Sequence, residues 1–251
     1  MSGHSKWAGI KHKKAIVDAK RGQAFTRASR EITIAAKEGG GDVDGNFRLR
    51  LAIQKAREVN MPADRIQAAI DRGTGAAKGE SLEELRYEGY GPAGVAIMVD
   101  VMTDNRNRTG PAIRHAFSKH GGSLGETNSV GWMFERKGVI AIRAGERDPE
   151  EIGLAAIEAG AEDVQVDGRT VEVTTDPAGF EAVRRAVEAA GVEIENAELT
   201  MQPTQTVPVG EEKAAAVLRL LEALEEEDDV QQVYANFDIP EDVLERISAA
   251  D

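Results

Sequence analysis

Lys6, Lys11, Lys13, Lys14, Lys20, Arg21, Arg27 and Arg30 crowd residues 1–30, opposed by a single acid, Asp18. Closely spaced ammonium and guanidinium groups suit one kind of chemistry: they neutralise phosphates and release the counterions condensed on a polyanion. Trp7 and Phe25 lie among them, with His4 and His12, and offer ring faces on which a base can stack. Through Lys78 the chain carries 16 Lys and Arg against 8 Asp and Glu, net +8; from Gly79 onward it carries 15 against 36, net -21. A chain of net charge -13 does not attract nucleic acid as a whole, so the contact must be regional. A solvated basic tail is the plain alternative; the rings beside the cations tip the reading toward DNA or RNA.

Other motifs fail on inspection. Gly89-Tyr-Gly91-Pro-Ala-Gly94 matches G-x-G-x-x-G, but a dinucleotide site needs a helix next, and here a strand follows while Pro92 removes one N–H. It reads as a hairpin connection. Asp42-Val-Asp44-Gly-Asn46 begins like a calcium loop, yet Phe47 stands where glycine is needed and Ile53 where a bidentate Glu is needed. His115 and His120 are five apart, on different helix faces, and suit surface or capping roles. With no cysteine there is neither a disulfide nor a thiolate metal site. Nucleophile elbow, P-loop and paired catalytic carboxylates are all missing, so the sequence predicts a non-enzyme with no cofactor and no metal. Glu225-Glu-Glu-Asp-Asp229 reads as a frayed acidic helix end.

Thr103-Asp-Asn-Arg-Asn-Arg-Thr109 is a second candidate contact. Asn105, Arg106, Asn107 and Arg108 open a helix there, and helix N-termini attract phosphate through free N–H groups and the macrodipole. An Asn or Asp cap with surface arginines explains the same residues equally well.

These groups need elements to hold them. From Asp18 to Glu38, Phe25, Ala28, Ile32, Ala35 and Ala36 mark one helix face, with Lys20, Arg27, Arg30 and Lys37 on the far side. Gly39-Gly40-Gly41 stops that helix. A second carries Leu49, Ala52, Ile53, Ala56 and Val59 inward and Arg48, Arg50, Lys55 and Arg57 outward; a third opens at Pro62 and ends at Gly73. Residues 1–17 have little to fold around, and the sequence predicts that they stay loose until a partner arrives. After a linker at Gly75–Gly79, strands are expected over 85–90 and 95–102, a helix over 104–120 and a strand over 131–135. A βαββαβ run follows: strand 138–143, helix 149–159 with Ile152, Ala155, Ala156 and Leu154, strands 164–166 and 170–174 joined at Asp167-Gly168, helix 177–190, strand 192–200. A helix over 211–226 and a strand over 230–237 have no partners nearby and complete the earlier sheet.

The expected fold class is α+β: a three-helix bundle (1–79), a discontinuous α/β domain (80–136 with 204–251), and a ferredoxin-like unit inserted in it (137–203). No apolar run approaches the ~18–20 residues that span a bilayer. No apolar segment follows the basic N-terminus as a secretory leader requires. A cytoplasmic protein without membrane contact, monomeric rather than oligomeric, is expected.

Gly3-His-Ser-Lys-Trp7, Ile10-Lys-His-Lys-Lys14, Asp18-Ala-Lys-Arg-Gly22, Asn60-Met-Pro62 and Arg72-Gly-Thr-Gly75 together resemble the start of YebC/PmpR proteins. Tyr87-Glu-Gly-Tyr-Gly-Pro92, Thr103–Thr109 and Gly122-Ser-Leu-Gly125 extend the likeness over nearly the whole chain. Ala93, Phe47 and Asn128 depart from it, standing where the family usually has Gly, Pro and Gly; each touches a turn. The resemblance implies three domains, a helical N-terminal one and two α/β domains, one inserted in the other. It implies either a DNA-binding transcriptional regulator or, as in the mitochondrial activator of cytochrome oxidase subunit one translation, a factor that meets ribosomal RNA.

Overall fold

The computed structural model describes residues 18–76 and 82–250. His4, Lys6, Trp7, Lys11, His12, Lys13 and Lys14, with the loose-tail expectation for 1–17, lie outside them. The described residues divide into two compact units: those within 132–206, and those within 18–131 together with 207–250.

The larger unit opens with three helices, α1 (Asp18–Gly39), α2 (Phe47–Glu58) and α3 (Ala63–Gly73). Their apolar faces meet in a core of Ile32, Ala35, Ala36, Leu49, Ala52, Ile53, Ala56, Met61, Ile66, Ala69 and Ile70, with Phe25 and Ala28 half-buried at its edge. Asn46 joins two helices at once. Its Oδ1 accepts from Leu49 N at 3.0 Å and caps α2. Its Nδ2 donates to the carbonyls of Ala35 and Gly40, both at 2.8 Å, near the end of α1. Pro62 is the cap of α3 rather than its first residue. Gly73 lets α3 approach α1 closely, since a Cβ there would strike the Thr33 carbonyl and the Ala36 methyl.

The same unit continues with β1 (Glu83–Tyr90), β2 (Ala96–Thr103), α4 (Arg106–Lys119) and β3 (Ser123–Leu124). After residue 206 come β8 (Val207–Pro208), α7 (Glu211–Glu226), β9 (Val230–Ala235), β10 (Phe237–Asp238) and α8 (Glu241–Ala250). The sheet order is β3-β1-β2-β9, all antiparallel, so the tail does complete the earlier sheet. The near-continuous apolar run of β2 suits its central place. Ile113, Ala116 and Phe117 of α4 and Val217, Leu218, Leu220, Leu221 and Leu224 of α7 pack on it. Two expectations are corrected here. The strand expected over 230–237 breaks at Asn236, whose buried Oδ1 accepts from Ala96 N at 2.7 Å; Phe237–Asp238 then turns to pair with β8. The final helix α8, buried through Val243 and Leu244, is absent from the sequence reading although Pro240 precedes it as a start signal.

Between β1 and β2, Pro92–Gly94 forms a short 3-10 turn with Ala93 at φ 61°. That left-handed conformation costs an L-residue about 1–2 kcal/mol relative to glycine. Glycine's greater freedom in the unfolded chain returns about half of this. Ala93→Gly is therefore expected to raise urea-unfolding stability by about 0.5–1 kcal/mol. Asn128, at φ 66°, tolerates the same region through its short polar side chain, so Asn128→Gly should be near neutral. An Ala93→Gly variant no more stable than the parent would show that the turn is unstrained.

The unit over 132–206 holds β4 (Phe134–Arg143), α5 (Pro149–Glu158), β5 (Asp163–Asp167), β6 (Thr170–Thr175), α6 (Phe180–Ala189) and β7 (Glu193–Pro203). Its sheet order, β5-β6-β4-β7 with every neighbour antiparallel, is the ferredoxin-like arrangement. The two strands expected over 131–135 and 138–143 are a correction. Gly131–Met133 is a 3-10 turn, and β4 runs unbroken through Gly138, paired with β7 from Phe134↔Pro203 to Arg143↔Glu193. Gly138 is small for packing, not for turning: a Cβ would collide with Phe180 and Thr175. Leu154 is 61% exposed, whereas Gly153 beside it is buried so close to Val164 that a Cβ would stand 3.0 Å from its Cγ1. Helix α6 begins at Phe180, three residues later than expected, and the β5–β6 loop is Gly168-Arg169, closed by the Asp167↔Thr170 pair.

Candidate nucleic-acid interface

Lys20 and Arg21 fall in the first turn of α1, and Arg27 and Arg30 further along it. Arg27 and Arg30 do not face open solvent. Arg27 reaches the carbonyl of Glu225 and Arg30 that of Asp228, while Gln23 Nε2 donates to the Glu226 carbonyl at 2.7 Å. Arg30 also pairs with the Asp229 carboxylate at 2.9 Å. Burial pushes the Arg27 guanidinium below its ordinary pKa against the pull of Asp228, and the charge of Arg30 adds to the lowering.

On α2, Arg48 is a hub. It bonds Glu31 at 3.0 Å and Glu38 at 2.6 Å, and pairs with Glu84 as well. Burial opposes its charge, but the hydrogen bonds it donates to Glu84 and Glu31, with their negative charge, hold its pKa above the ordinary arginine value. Arg50 donates to the carbonyls of Val43 at 2.9 Å and Asp44 at 3.1 Å, and lies 5.6 Å from the centre of the Phe47 ring. Phe47 is the first residue of α2, directly after the Asn46 cap. Lys55 and Arg57 are exposed in the last turn of the same helix.

At the second candidate contact, Asn105 caps α4, accepting from Asn107 N at 3.1 Å and Arg108 N at 3.2 Å. Two N–H groups that could have met a phosphate are thus already bonded. Arg106 pairs with Glu83. Arg108 bonds Asp104 at 2.9 Å and Asp229 at 2.7 Å. Hydrogen bonds to Asp229 and Asp104 raise its pKa.

Both cationic groups therefore converge on Asp229, which is 5% exposed. Its carboxylate takes Arg30, Arg108, the Thr109 hydroxyl at 2.5 Å and the Thr103 hydroxyl at 3.1 Å. Burial works against its charge, but hydrogen bonds from Thr109 and Arg108 and the charge of Arg30 outweigh it and hold the carboxyl below its usual range. Sequence reasoning took this residue for part of a frayed helix end. Its signal was its place as the last of five acids, directly before the apolar Val230 that opens the next strand.

A second buried carboxylate was also missed. Glu88, 3% exposed on β1, accepts from the backbone N–H groups of Asn128 at 3.0 Å, Val130 at 2.8 Å and Gly131 at 2.7 Å. It fixes the segment after Gly121–Gly125. The Glu88 carbonyl accepts from Gly125 N at 2.8 Å, and Tyr90 Oη donates to the Ser129 carbonyl at 3.1 Å. The two histidines of α4 and its cap, His115 and His120, both line an open groove of about 460 Å³ with Lys119, Arg219, Glu222 and Glu226. Among the described residues, no helix is long and apolar enough to cross a membrane.

Fold and site together define an α+β protein whose cationic residues gather in a leading helical domain. The TACO1/YebC protein N-terminal domain matches residues 5–76, and the TACO1/YebC second and third domain matches residues 82–237. The chain belongs to the TACO1/YebC family. It is 55% identical over 249 residues to a protein of Rubrobacter xylanophilus, covering 99% of this chain and 100% of that one. It is 56% identical over 248 residues to one of Natranaerobius thermophilus, covering 98% and 99%. Both are named "Probable transcriptional regulatory protein". A crystal structure of a conserved hypothetical protein from Aquifex aeolicus superposes with a TM-score of 0.81 at 49% identity, covering 90% of this chain and 93% of that one.

Proposed function

We propose that this chain is a cytoplasmic, nucleic-acid-binding regulator of gene expression, without catalytic activity, that grips duplex DNA through phosphate contacts made by its basic N-terminal segment. The observation that carries this reading is the charge asymmetry, net +8 through Lys78 against net -21 beyond. The names of the relatives support the transcriptional side of it. Sequence specificity is weak or indirect, because phosphate contacts position a protein without reading bases.

The test is competition among duplex DNA, ribosomal RNA and intact ribosomes at one physiological salt concentration. Duplex DNA bound more tightly than micromolar, and more tightly than ribosomal RNA or intact ribosomes, supports the transcriptional reading. Co-sedimentation with large ribosomal subunits, with only micromolar or weaker DNA binding, replaces it with a translation factor.

Within either outcome, replacing Lys11, Lys13 and Lys14 with Ala should weaken binding about tenfold or more. The log–log salt slope should become shallower by about 2.7, at about 0.9 per lost phosphate. The melting temperature should not fall. Unchanged affinity would remove these lysines from the interface.

A further inference from the structure

The cationic helix already holds a polyanion, supplied by its own chain. The acceptors for Gln23, Arg27 and Arg30 are the carbonyls of Glu226, Glu225 and Asp228 and the carboxylate of Asp229. They form the end of α7 and the three residues after it, within five consecutive acids. Carbonyls at a helix C-terminus lack intrahelical donors and carry partial negative charge. A row of such oxygens along α1 offers its arginines what a phosphate backbone would. The match is incomplete: Arg27 Nε is buried with no acceptor. A buried donor left without a partner is a desolvation cost that a better-placed oxygen would relieve.

We propose that Glu225–Asp229 is an intramolecular competitor, holding Arg27 and Arg30 until a nucleic-acid backbone displaces it. This rests on the nucleic-acid reading above and adds a regulation of that site. Affinity is then reduced by the fraction of molecules in the closed arrangement, and opening adds two phosphate contacts to those of the N-terminal lysines.

The chain has no cysteine, so Gln23→Cys with Glu226→Cys introduces a unique pair that a short reducible dimaleimide can bridge. Neither side chain is assigned a phosphate contact, and Glu226 is exposed. The unbridged double variant should stay folded and bind a duplex DNA probe no more weakly than the parent, since what it loses is the Gln23 hydrogen bond and one acid that help to close the competitor. The bridged protein should bind at least about tenfold more weakly, with a salt slope shallower by about 1.8, and reduction should restore both. Equal affinity and slope in bridged and reduced protein overturns the competitor while leaving the nucleic-acid reading intact. If the unbridged protein and the parent bind neither DNA, ribosomal RNA nor ribosomes, the reading of function fails, and the competitor falls with it.

Discussion

Asp229→Ala is expected to cost about 3–5 kcal/mol of unfolding free energy, the scale for removing one partner of a buried charged network. The side chain is 5% exposed and receives Arg30, Arg108, Thr109 and Thr103. Truncation takes the carboxylate away from two buried hydroxyls, from Arg108 and from the Arg30 guanidinium, itself 17% exposed, which keeps only the Asp228 carbonyl of its two acceptors named above. Asp229→Asn keeps the shape and one acceptor oxygen but loses the charge, so its cost should be smaller. The pH dependence separates charge from shape. Asp229 titrates below its ordinary value in the folded protein. Its contribution is therefore fully present above the unfolded aspartate pKa of ~3.9 and is lost as pH falls through the lower folded value. The gap between the parent and Asp229→Asn, measured by urea unfolding, should be constant near pH 5–7 and narrow below about pH 4. A gap independent of pH, or an alanine cost under ~1 kcal/mol, would show that the network is solvated and carries little stability.

Glu88→Ala should be nearly as damaging, at about 3 kcal/mol or more, since each buried donor left unsatisfied costs about 1–3 kcal/mol. Three backbone N–H groups, from Asn128, Val130 and Gly131, end on this one carboxylate. Successive N–H groups aimed inward make an anion-binding concavity, and here the anion is a side chain. Glu88→Gln retains one acceptor oxygen and points an NH2 at the remaining donors, so roughly half the loss is expected. Hydrogen exchange localises the effect: in Glu88→Ala, protection at Val130 and Gly131 should drop while that of β2 persists. Protection unchanged at those two amides would place the anchor of this segment elsewhere.

What each level of organisation decided can be seen residue by residue. The helix stops were legible because they are local. Gly39–Gly41 and Gly73 end helices through backbone entropy, and Gly40 takes φ 81°. The apolar stripes of α1 and α2 were legible because a period of 3.6 names the buried face directly. The βαββαβ order of the ferredoxin-like unit followed from strand and helix lengths alone. Gly138 misled, because a glycine placed for close packing against Phe180 looks in sequence like one placed for a turn.

Tertiary structure alone decided where the charges go. Sequence marked Arg27 and Arg30 as cationic and Glu225–Asp229 as acidic, but their hydrogen bonds join residues 198 apart. Thr109 reaches Asp229 across 120 residues, and Glu88 reaches Val130 across 42. Periodicity reports that a face is covered, not by what. A charge reads the same in sequence whether water or a distant carboxylate will receive it. The basic character of the leading segment was therefore set by composition, while which of its cations remain available to a partner was set only when the acidic turn after α7 folded back onto α1.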